Sequence, residues 1–380
     1  MILTSGQEKG LKIAVERYKN HEPYTVIAGY AGTGKSTLVK FIIEELGVDE
    51  ADVVYIAYTG KASLVLKNKG CTNTMTAHKL LYKAKELPDR TYEFIPKKKL
   101  DEYCRIIVLD ECSMLPQDMW ELLLSHHIHV IALGDPGQLP PIDGMSSILS
   151  EPHVMLSEVM RQAQDNPIIR LSMDIRAGKW IDYGGPKECR IMSKEHVTDK
   201  LLLGADQVLC GKNATRHGLN DRMRKIRFGE HCSSYPVSCD KIICLHNEWN
   251  KLGSNGEPLV NGMIGTINNI HLDNKDPLYH PKMIADFISD NGGSYADLQM
   301  DHKIFTDKET TVNKDNWRRY KNAPRPCEFD YGYAVTVHKF QGSEAEKVVV
   351  YDEWLGDKDY HTKWLYTAVT RASKMLVVVK

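Results

Sequence analysis

The sequence predicts an α/β protein with more than one domain, and three observations support this fold class. The chain has 380 residues, whereas a single hydrophobic core seldom organises more than roughly 250 to 300 residues. Short apolar runs alternate with stretches of helical periodicity, which is typical of parallel α/β sheets. A glycine-rich loop also lies between a predicted strand and a predicted helix. We therefore expect two parallel sheets flanked by helices.

The first predicted elements are a helix, a strand and a second helix. Thr4 can cap the first helix, and Gln7 follows three residues later, as in a capping box. Tyr24 to Ala28 is a short β-rich run, and Thr37 to Leu46 is amphipathic. Further strands are predicted at Val53 to Ala57, Ile106 to Leu109, Val130 to Leu133, Gln207 to Cys210, Lys347 to Tyr351 and Met375 to Val379.

Two stretches interrupt the alternation of strands and helices. Residues 82–103 carry β-compatible side chains around the turn signal Pro88-Asp89-Arg90, which predicts a small hairpin protruding from the first domain. Residues 259–326 are rich in Asn, Asp and Gly, with turn signals such as Asp290 to Gly293. The second stretch predicts a small β insertion.

Composition excludes several protein classes. The apolar content of 42% and the charged content of 26% are near the globular average, which excludes disorder and collagen-like repeats. The net charge of -1 provides no overall positive field, so a polyanion would have to bind a local patch. Scattered cysteines, no basic and apolar leader and no long apolar run predict a cytoplasmic protein without membrane contact.

The segment GYAGTGKS matches the GxxxxGK[ST] phosphate loop and has the strand-loop-helix context that this motif requires. Its glycines let backbone amides point at phosphates, Lys35 can reach the β and γ phosphates, and Ser36 can bind Mg²⁺. The sequence therefore predicts an ATP site. The residues expected to bind the nucleotide here are Gly29, Gly32, Thr33, Gly34, Lys35, Ser36 and Thr37.

Two further strand ends carry candidate catalytic groups. The buried run that ends in Asp110 and Glu111 resembles a Walker B element, in which Asp110 holds Mg²⁺ and Glu111 accepts a proton from the attacking water. A second strand ends in LGDPGQLPP, where Gln138 is suited to sensing the γ-phosphate or orienting water. An exposed loop amide is the alternative for Gln138, and the sequence does not decide between the two.

Six segments resemble, in order, the motifs of superfamily 1 helicases of the compact RecD-like and Dda-like branch. They are GYAGTGKST, LDECSM, LGDPGQLPP, LSEVMRQA, YAVTVHKFQGSE and LYTAVTRAS. The resemblance implies two RecA-like P-loop domains, with a pin-like hairpin in the first and an SH3-like module in the second. The implied boundaries are 1–158 for the first domain with hairpin 82–103, 159–258 and 327–380 for the second, and 259–326 for the β insertion.

The resemblance also implies nucleotide contacts from outside the phosphate loop. Arg161 and Arg371 match the two arginines that such helicases place across the ATP cleft, where a guanidinium can neutralise charge in the transition state. Gln7 resembles the glutamine that recognises adenine, but it is also the third residue of the capping box, and both interpretations stay open. Glu344 matches a position near the nucleotide sugar or the coupling path.

A nucleic-acid face is implied by the same resemblance. Hydroxyl and imidazole groups at strand ends can donate to phosphates without recognising base sequence. Tyr58 stands where the family usually has proline and can add a stacking platform, while Phe340 replaces a small residue and has no assigned role. The hairpin aromatics can stack on the last base pair. The candidate DNA-binding residues are Tyr58, Thr59, Lys61, Thr76, His78, Tyr92, Phe94, Thr336 and His338.

The implied function is an ATP-dependent DNA helicase that translocates along single-stranded DNA from 5′ to 3′. Two alternatives stay open, namely an ATP-switched DNA-binding module that loads or displaces partner proteins, and an RNA helicase. The expected partners are single-stranded DNA and single-strand/duplex junctions, with replication or recombination proteins as further candidates. We expect a monomer in a viral or bacterial host cytoplasm, with ATP and Mg²⁺ as cofactors.

Overall fold

The computed structural model describes residues 3–86, 92–100, 103–140, 147–179, 181–273, 282–307 and 326–380. The described helices are α1 (Ser5–Lys19), α2 (Lys35–Glu45), α3 (Gly60–Asn68), α4 (Ala77–Leu81), α5 (Gln117–Leu124), α6 (Arg161–Gln164), α7 (Pro167–Arg176), α8 (Asp199–Leu203), α9 (Asn213–Phe228), α10 (Lys303–Asp307) and α11 (Lys358–Val369).

The described strands are β1 (Tyr24–Gly29), β2 (Val53–Ala57), β3 (Thr74–Thr76), β4 (Tyr82–Glu86), β5 (Tyr92–Pro96), β6 (Ile106–Asp110), β7 (His129–Gly134), β8 (Val154–Leu156), β9 (Cys189–Met192), β10 (Gln207–Cys210), β11 (Lys241–Cys244), β12 (Glu248–Leu252), β13 (Pro258–Leu259), β14 (Ile264–Asp273), β15 (Lys282–Ser289), β16 (Ser294–Met300), β17 (Phe329–Tyr331), β18 (Ala334–Thr336), β19 (Ala345–Tyr351) and β20 (Ala372–Val379).

The chain folds into two compact units. The first unit comprises Met1–Ala84, Phe94–Lys194 and Gln341–Lys380, and the second comprises Lys85–Glu93 and Glu195–Phe340. In the part of the chain that the structure describes, no helix is both long and apolar enough to cross a membrane.

A six-stranded parallel sheet in the order β3-β2-β6-β7-β1-β8 forms the centre of the first unit. Its strands are apolar almost throughout because helices cover both faces. Alternate residues along a strand point to opposite faces. Thus Val54 and Ile56 pack with α4 and α5, while Val53 and Tyr55 pack with α2 and α3.

The strand registers align the carboxyl ends of the sheet along one edge. Ala57 at the end of β2 pairs with both Asp110 of β6 and Thr76 of β3. Ala28 of β1 pairs with Gly134 of β7 in the same sheet. The loops that follow these strands therefore leave from a common edge, which is where ligands of parallel sheets bind.

The first unit also contains the parallel strands β9, β20 and β19, with β20 in the middle. Helix α11 precedes β20 and packs against α7. Its side chains Trp364 and Tyr366 are fully buried. The parallel pairing predicted for the C-terminal strands is therefore confirmed.

The second unit contains a parallel pair, β10 and β18, and a five-stranded antiparallel sheet in the order β16-β15-β14-β11-β17. The predicted β character of 259–326 is confirmed for the described strands, although the sheet begins earlier in the chain, with β11. Phe287 and Phe329 pack together in its core.

Two other local predictions are confirmed. Thr4 and Gln7 form the predicted capping box at the start of α1. Strands β4 and β5 form a two-stranded sheet within the predicted hairpin. The predicted turn at Pro88 to Arg90 lies outside the described residues.

Candidate nucleotide site and nucleic-acid face

The phosphate loop follows β1 and ends at α2, as the motif requires. Gly32 and Gly34 have φ angles of 76° and 78°, which lie in the left-handed region that glycine adopts without strain. A Cβ atom added to Gly34 would lie 2.5 Å from Nε2 of Gln7 and 2.5 Å from Sδ of Met160. Glycine at position 34 is therefore required both by the backbone and by its neighbours.

The loop side chains bond mainly to the loop's own backbone. Lys35 Nζ donates to the carbonyls of Gly29 (2.5 Å) and Tyr30 (3.3 Å), and Thr33 Oγ1 donates to Tyr30 at 2.8 Å. Ser36, at the start of α2, is exposed. The ammonium group of Lys35 thus lies beside the first loop residues, and the hydroxyl of Ser36 faces solvent at the N-terminus of α2.

Gln7 joins the first helix to the phosphate loop. Its Oε1 accepts from the backbone N–H of Thr4 at 3.0 Å. Its Nε2 donates to the carbonyls of Thr33 at 3.2 Å and Gly34 at 3.5 Å. The amide is buried, so it serves the capping box and supports the loop simultaneously, while adenine recognition stays a prediction.

The two acidic residues at the end of β6, Asp110 and Glu111, have different environments. Glu111 has a φ of 49°, which is uncommon for a residue other than glycine. Its backbone N–H donates to Oδ1 of Asp110 at 3.0 Å. Burial raises the pKa of Glu111, and the guanidinium of Arg371 opposes this rise. Glu111 Oε2 is buried and finds no hydrogen-bond partner among the described residues.

Arg371 follows α11 and lies in the same compact unit as the phosphate loop. Its Nη1 donates to Glu111 Oε1 and to the carbonyl of Ser343, each at 3.3 Å, and its Nε donates to the carbonyl of Thr367 at 3.1 Å. Arg371 is thus held beside the candidate base. Arg161 is the first residue of α6, and its side chain lies outside the described residues.

Gln138 lies in a turn whose shape depends on Asp135. The backbone N–H of Gln138 donates to the carbonyl of Asp135 at 3.2 Å. The Asp135 carboxylate accepts from the N–H of Gly137 at 2.9 Å and from the hydroxyl of Tyr366 at 2.8 Å. Gln138 itself is partly exposed, which suits a group that must meet a substrate.

The sequence analysis missed three residues of this site, Asp135, Tyr366 and Thr367. All three lie inside segments that it had singled out, LGDPGQLPP and LYTAVTRAS. Each is buried, with 6%, 1% and 0% exposure respectively. The sequence signal that could have found them is a polar side chain within an apolar stretch, because buried polar groups are held by hydrogen bonds.

The residues present fit Mg²⁺ bound together with a nucleotide. Mg²⁺ commonly uses one or two protein ligands and completes its shell with phosphates and water. Ser36 offers an exposed hydroxyl and Asp110 a partly exposed carboxylate, while the buried Oε2 of Glu111 has accepting capacity left. Within the described ranges no three His, Cys, Asp or Glu side chains form an all-protein metal cluster.

Glu344 forms an ion pair with Lys69, with Nζ and Oε2 3.3 Å apart. Both side chains are about half exposed, and exposed pairs of this kind contribute at most about 1 kcal/mol to stability. This contact links the segment after β18 to the end of α3. A contact between Glu344 and the nucleotide sugar stays a prediction.

Three of the candidate DNA-binding residues are threonines that begin helical segments. Thr59 Oγ1 accepts from the N–H of Ala62 at 3.2 Å, and Thr76 Oγ1 accepts from the N–H of Lys79 at 3.2 Å. In the second unit, Thr336 makes the same kind of bond at 3.4 Å. A hydroxyl that accepts a capping bond still has its own proton to donate, so the capping role is compatible with binding phosphate.

An aromatic cluster in the first unit gathers predicted residues around His78. The His78 ring lies 5.6 Å from Tyr58, 5.9 Å from Tyr82 and 5.7 Å from Phe94, measured between ring centroids. Phe94 is 40% exposed. Burial lowers the pKa of His78, so its imidazole is neutral near pH 7. Tyr82 is the member that the sequence analysis did not propose.

The structure describes the remaining candidate DNA-binding residues in less detail. Lys61 is the second residue of α3 and is partly buried. Tyr92 begins β5, but its side chain lies outside the described residues. In the second unit, His338 lies in a short 3₁₀ segment, and burial lowers its pKa.

Two family models match the chain. A model described as an AAA domain matches residues 3–183, which include the phosphate loop, Asp110, Glu111 and Gln138. A model described as a UvrD-like helicase C-terminal domain matches residues 331–379, which include Arg371.

Curated relatives of the chain include named helicases. The chain is 31% identical over 196 residues to the ATP-dependent DNA helicase dda of Enterobacteria phage T4, covering 47% of this chain and 43% of that protein. It is 30% identical over 175 residues to the ATP-dependent RecD2 DNA helicase of Deinococcus radiodurans, covering 42% of this chain and 22% of that protein. Each alignment thus spans less than half the length of the relative.

The fold resembles a solved structure of the Pif1 helicase from Bacteroides in complex with ADP-AlF3 and single-stranded DNA. The TM-score is 0.54 at 17% identity, with 100% of this chain and 92% of that chain covered. At this identity the likeness concerns the fold alone. The two matched models, the two named relatives and the ordered motifs support one assignment: a superfamily 1 helicase of the Dda and RecD type, with a fold like that of Pif1.

Proposed function

We propose that this protein is an ATP-dependent DNA helicase that translocates along single-stranded DNA from 5′ to 3′. The observation that carries the ATP hydrolysis is the contact between Glu111 and Arg371 in the unit that contains the phosphate loop, while the DNA substrate and the direction rest on the motif resemblance. A partly buried carboxylate beside a guanidinium, at the same sheet edge as a phosphate loop, supplies a base and a cation for nucleoside triphosphate hydrolysis.

The chain's own groups would divide the chemistry among them. Lys35 exchanges its contacts with the loop carbonyls for the β and γ phosphates, Glu111 accepts the proton of the attacking water, and Arg371 neutralises charge that develops on the γ-phosphate. Ser36 and Asp110 would hold Mg²⁺, which shields phosphate charge when bound. Gln138 and Arg161 would complete the surroundings of the γ-phosphate.

Motion would couple this hydrolysis to DNA. As the motif resemblance implies, ATP would be held between RecA-like domains at 1–158 and at 159–258 with 327–380, and their opening and closing would step the strand. These domains follow the motifs and differ from the two compact units, since Arg371 would belong to the second domain but packs in the first unit. The β insertion at 259–326 would cap the strand. The cytoplasmic location, the monomeric state and the replication or recombination partners belong to the same proposal.

The DNA path in the first unit would run over the capping threonines and the aromatic cluster. Thr59 and Thr76 keep a hydroxyl proton for backbone phosphates, and these contacts are independent of base sequence. Tyr58 and Phe94 offer aromatic faces, and stacking of a base on such a face contributes about 1–3 kcal/mol. These groups suit an unpaired nucleic-acid strand, and the choice of DNA rests on the motif resemblance.

The direct test is ATP-driven unwinding of two DNA duplexes that differ only in carrying a 5′ or a 3′ single-stranded tail. We expect opening of the 5′-tailed duplex alone, with the Glu111→Gln variant as the inactive control. Opening of the 3′-tailed duplex alone would support an ATP-driven helicase but contradict the proposed 5′ to 3′ direction.

Two other outcomes would identify the alternatives. If neither duplex opens while single strands still stimulate hydrolysis and bound protein is displaced, the chain is an ATP-switched module that loads or clears partners. If matched RNA strands bind and stimulate hydrolysis better than DNA, the protein is an RNA helicase, because such a preference requires contacts to the 2′-hydroxyl.

A further inference from the structure

We infer that the hydroxyl of Tyr366 is a hydrogen-bonded link that couples the phosphate loop to the turn carrying Gln138. Tyr366 would thus be a positioning residue that acts through Gln138. The inference rests on the proposed ATP hydrolysis. It adds Tyr366 to the groups that support this hydrolysis, beside the phosphate loop and the arginines.

Both hydrogen-bonding capacities of this hydroxyl are used inside the first unit. Tyr366 Oη accepts from the backbone N–H of Ala31, in the phosphate loop, at 2.8 Å. The same hydroxyl donates to Oδ2 of Asp135 at 2.8 Å. Tyr366 is 1% exposed and Asp135 is 6% exposed, so water cannot readily replace either bond.

The Asp135 end of the link fixes the turn. The second carboxylate oxygen of Asp135 accepts from Gly137 N–H at 2.9 Å, and its carbonyl accepts from Gln138 N–H at 3.2 Å. Moving the Asp135 carboxylate would therefore move the backbone on both sides of Pro136. Gln138 is the last residue of this turn, so the turn sets the backbone position from which its side chain extends.

Helix α11 also holds the C-terminal side of the same turn. Thr367 Oγ1 accepts from the N–H of Leu139 at 2.9 Å. A Cβ atom added to Gly137 would lie 3.0 Å from Cε1 of Tyr366, so the tyrosine ring packs closely on the turn. Tyr366 and Thr367, adjacent residues of α11, thus contact the turn on both sides of Gln138. Tyr366 also bonds to the phosphate loop at Ala31.

The protonation state of Tyr366 suits this arrangement. Burial, followed by the Asp135 carboxylate, raises the pKa of Tyr366 well above its usual value. The hydroxyl therefore keeps the proton that it donates to Asp135 throughout the working pH range. A shift of the loop at Ala31 on nucleotide binding would pass through two short bonds to the turn.

The test begins with Tyr366→Phe, which keeps the ring and removes the hydroxyl. We expect kcat of DNA-stimulated ATP hydrolysis to fall roughly tenfold, with KM for ATP changed less than about twofold and single-stranded DNA affinity unchanged. The matched control is Tyr331→Phe, because Tyr331 is 4% exposed and donates to the carbonyl of Ser234 at 2.8 Å in the second unit. The control should leave kcat unchanged.

A double-variant cycle tests whether Tyr366 acts through Gln138. In a Gln138→Ala background, Tyr366→Phe should cause little further loss of kcat, because the residue that it positions is already absent. A full tenfold additional loss in that background would overturn the inference. Asp135→Asn, which preserves side-chain volume, should reproduce both results if Tyr366→Phe unfolds in thermal melts.

The outcomes for the inference and for the proposed function are distinguishable. An active parent chain with unchanged kcat in Tyr366→Phe contradicts the inference alone. A parent chain whose ATP hydrolysis is absent with and without DNA contradicts the proposed function and the inference together. Equal losses in Tyr366→Phe and Tyr331→Phe would indicate a general stability effect and would likewise overturn the inference.

Discussion

Arg371 Nη1 lies 3.3 Å from Glu111 Oε1, although 260 positions separate the two residues in the chain. Arg371 is 7% exposed, so its charge is largely removed from water. The Glu111 side chain is 21% exposed, so removing it would leave a poorly hydrated guanidinium at a cost below the roughly 3–5 kcal/mol of a fully buried pair. The contact therefore orients the candidate base and also ties its ionisation to the arginine.

Replacing Glu111 with Gln should abolish most ATP turnover while ATP still binds. The amide keeps the volume and a contact to Arg371 but cannot accept a proton, and a general base contributes about 10²- to 10⁴-fold. Steady-state hydrolysis and binding of a fluorescent ATP analogue would measure the two effects. Glu346→Gln is the matched control, because Glu346 also pairs with a cation, Lys374 at 2.7 Å, but on the surface. Near-normal turnover in Glu111→Gln would refute its role as base.

Replacing Gly34 with Ala should disrupt the phosphate loop and weaken ATP binding. The left-handed backbone costs alanine ~1–2 kcal/mol, and the new methyl group would also meet Gln7 and Met160 at 2.5 Å. The matched control is Gly47→Ala, because Gly47 has a φ of 59° but no neighbour within 4 Å. Thermal unfolding and ATP titration of both variants would separate backbone strain from the clash. Equal ATP affinity in the two variants would contradict the assigned role of Gly34.

The hairpin aromatics should affect strand separation more than ATP hydrolysis. Truncating Tyr92 and Phe94 to Ala removes the faces proposed to stack on the last base pair, worth about 1–3 kcal/mol per base. Unwinding rates should fall roughly five- to hundredfold, while DNA-stimulated hydrolysis stays within about twofold. Ile95→Ala is the control, since Ile95 is 41% exposed on the opposite face of β5. An equal loss of unwinding and hydrolysis would argue against a pin.

His78 should make the fold less stable in mild acid. Burial lowers the pKa of His78, so the unfolded chain takes up this proton at a higher pH than the folded chain does. Its contribution to stability is thus complete above about pH 6.5 and declines as the pH falls towards the lowered value. His78→Phe keeps a ring in the cluster and removes the titration. Melting temperatures at pH 7.5 and 5.5 should differ less in the variant than in the parent, and an equal difference would contradict the prediction.

The sequence predicted local features better than distant contacts. The capping box of Thr4 and Gln7, the phosphate loop and the strand ending in Asp110 follow from residue types at short spacing, and the structure contains all three. The bond between Ala31 and Tyr366 joins positions 335 apart, and no short-range pattern encodes it. Tyr82 joined the aromatic cluster for a similar reason, because the hairpin strand brings Phe94 back towards it.

The threonines illustrate a different limit. Thr59 and Thr76 were selected as phosphate donors from a motif resemblance, and the structure reveals that each also starts a helix. A threonine directly before a helical stretch is a capping signal that could have been recognised without coordinates. Because each threonine caps a helix and can also donate to a phosphate, a small hydroxyl side chain suits these positions.

The first compact unit is assembled from three separate stretches of chain, with Gln341–Lys380 supplying Arg371 and Tyr366. During translation at about 5–20 residues per second, ~10–50 s would pass between the synthesis of Glu111 and that of Arg371. A nascent chain in that interval has its phosphate loop and acids but not its arginine. The ribosome-bound intermediate would therefore lack one group of the proposed hydrolytic site, and under the proposed function ATP hydrolysis would reach its full rate only after the last strand of the unit has been made.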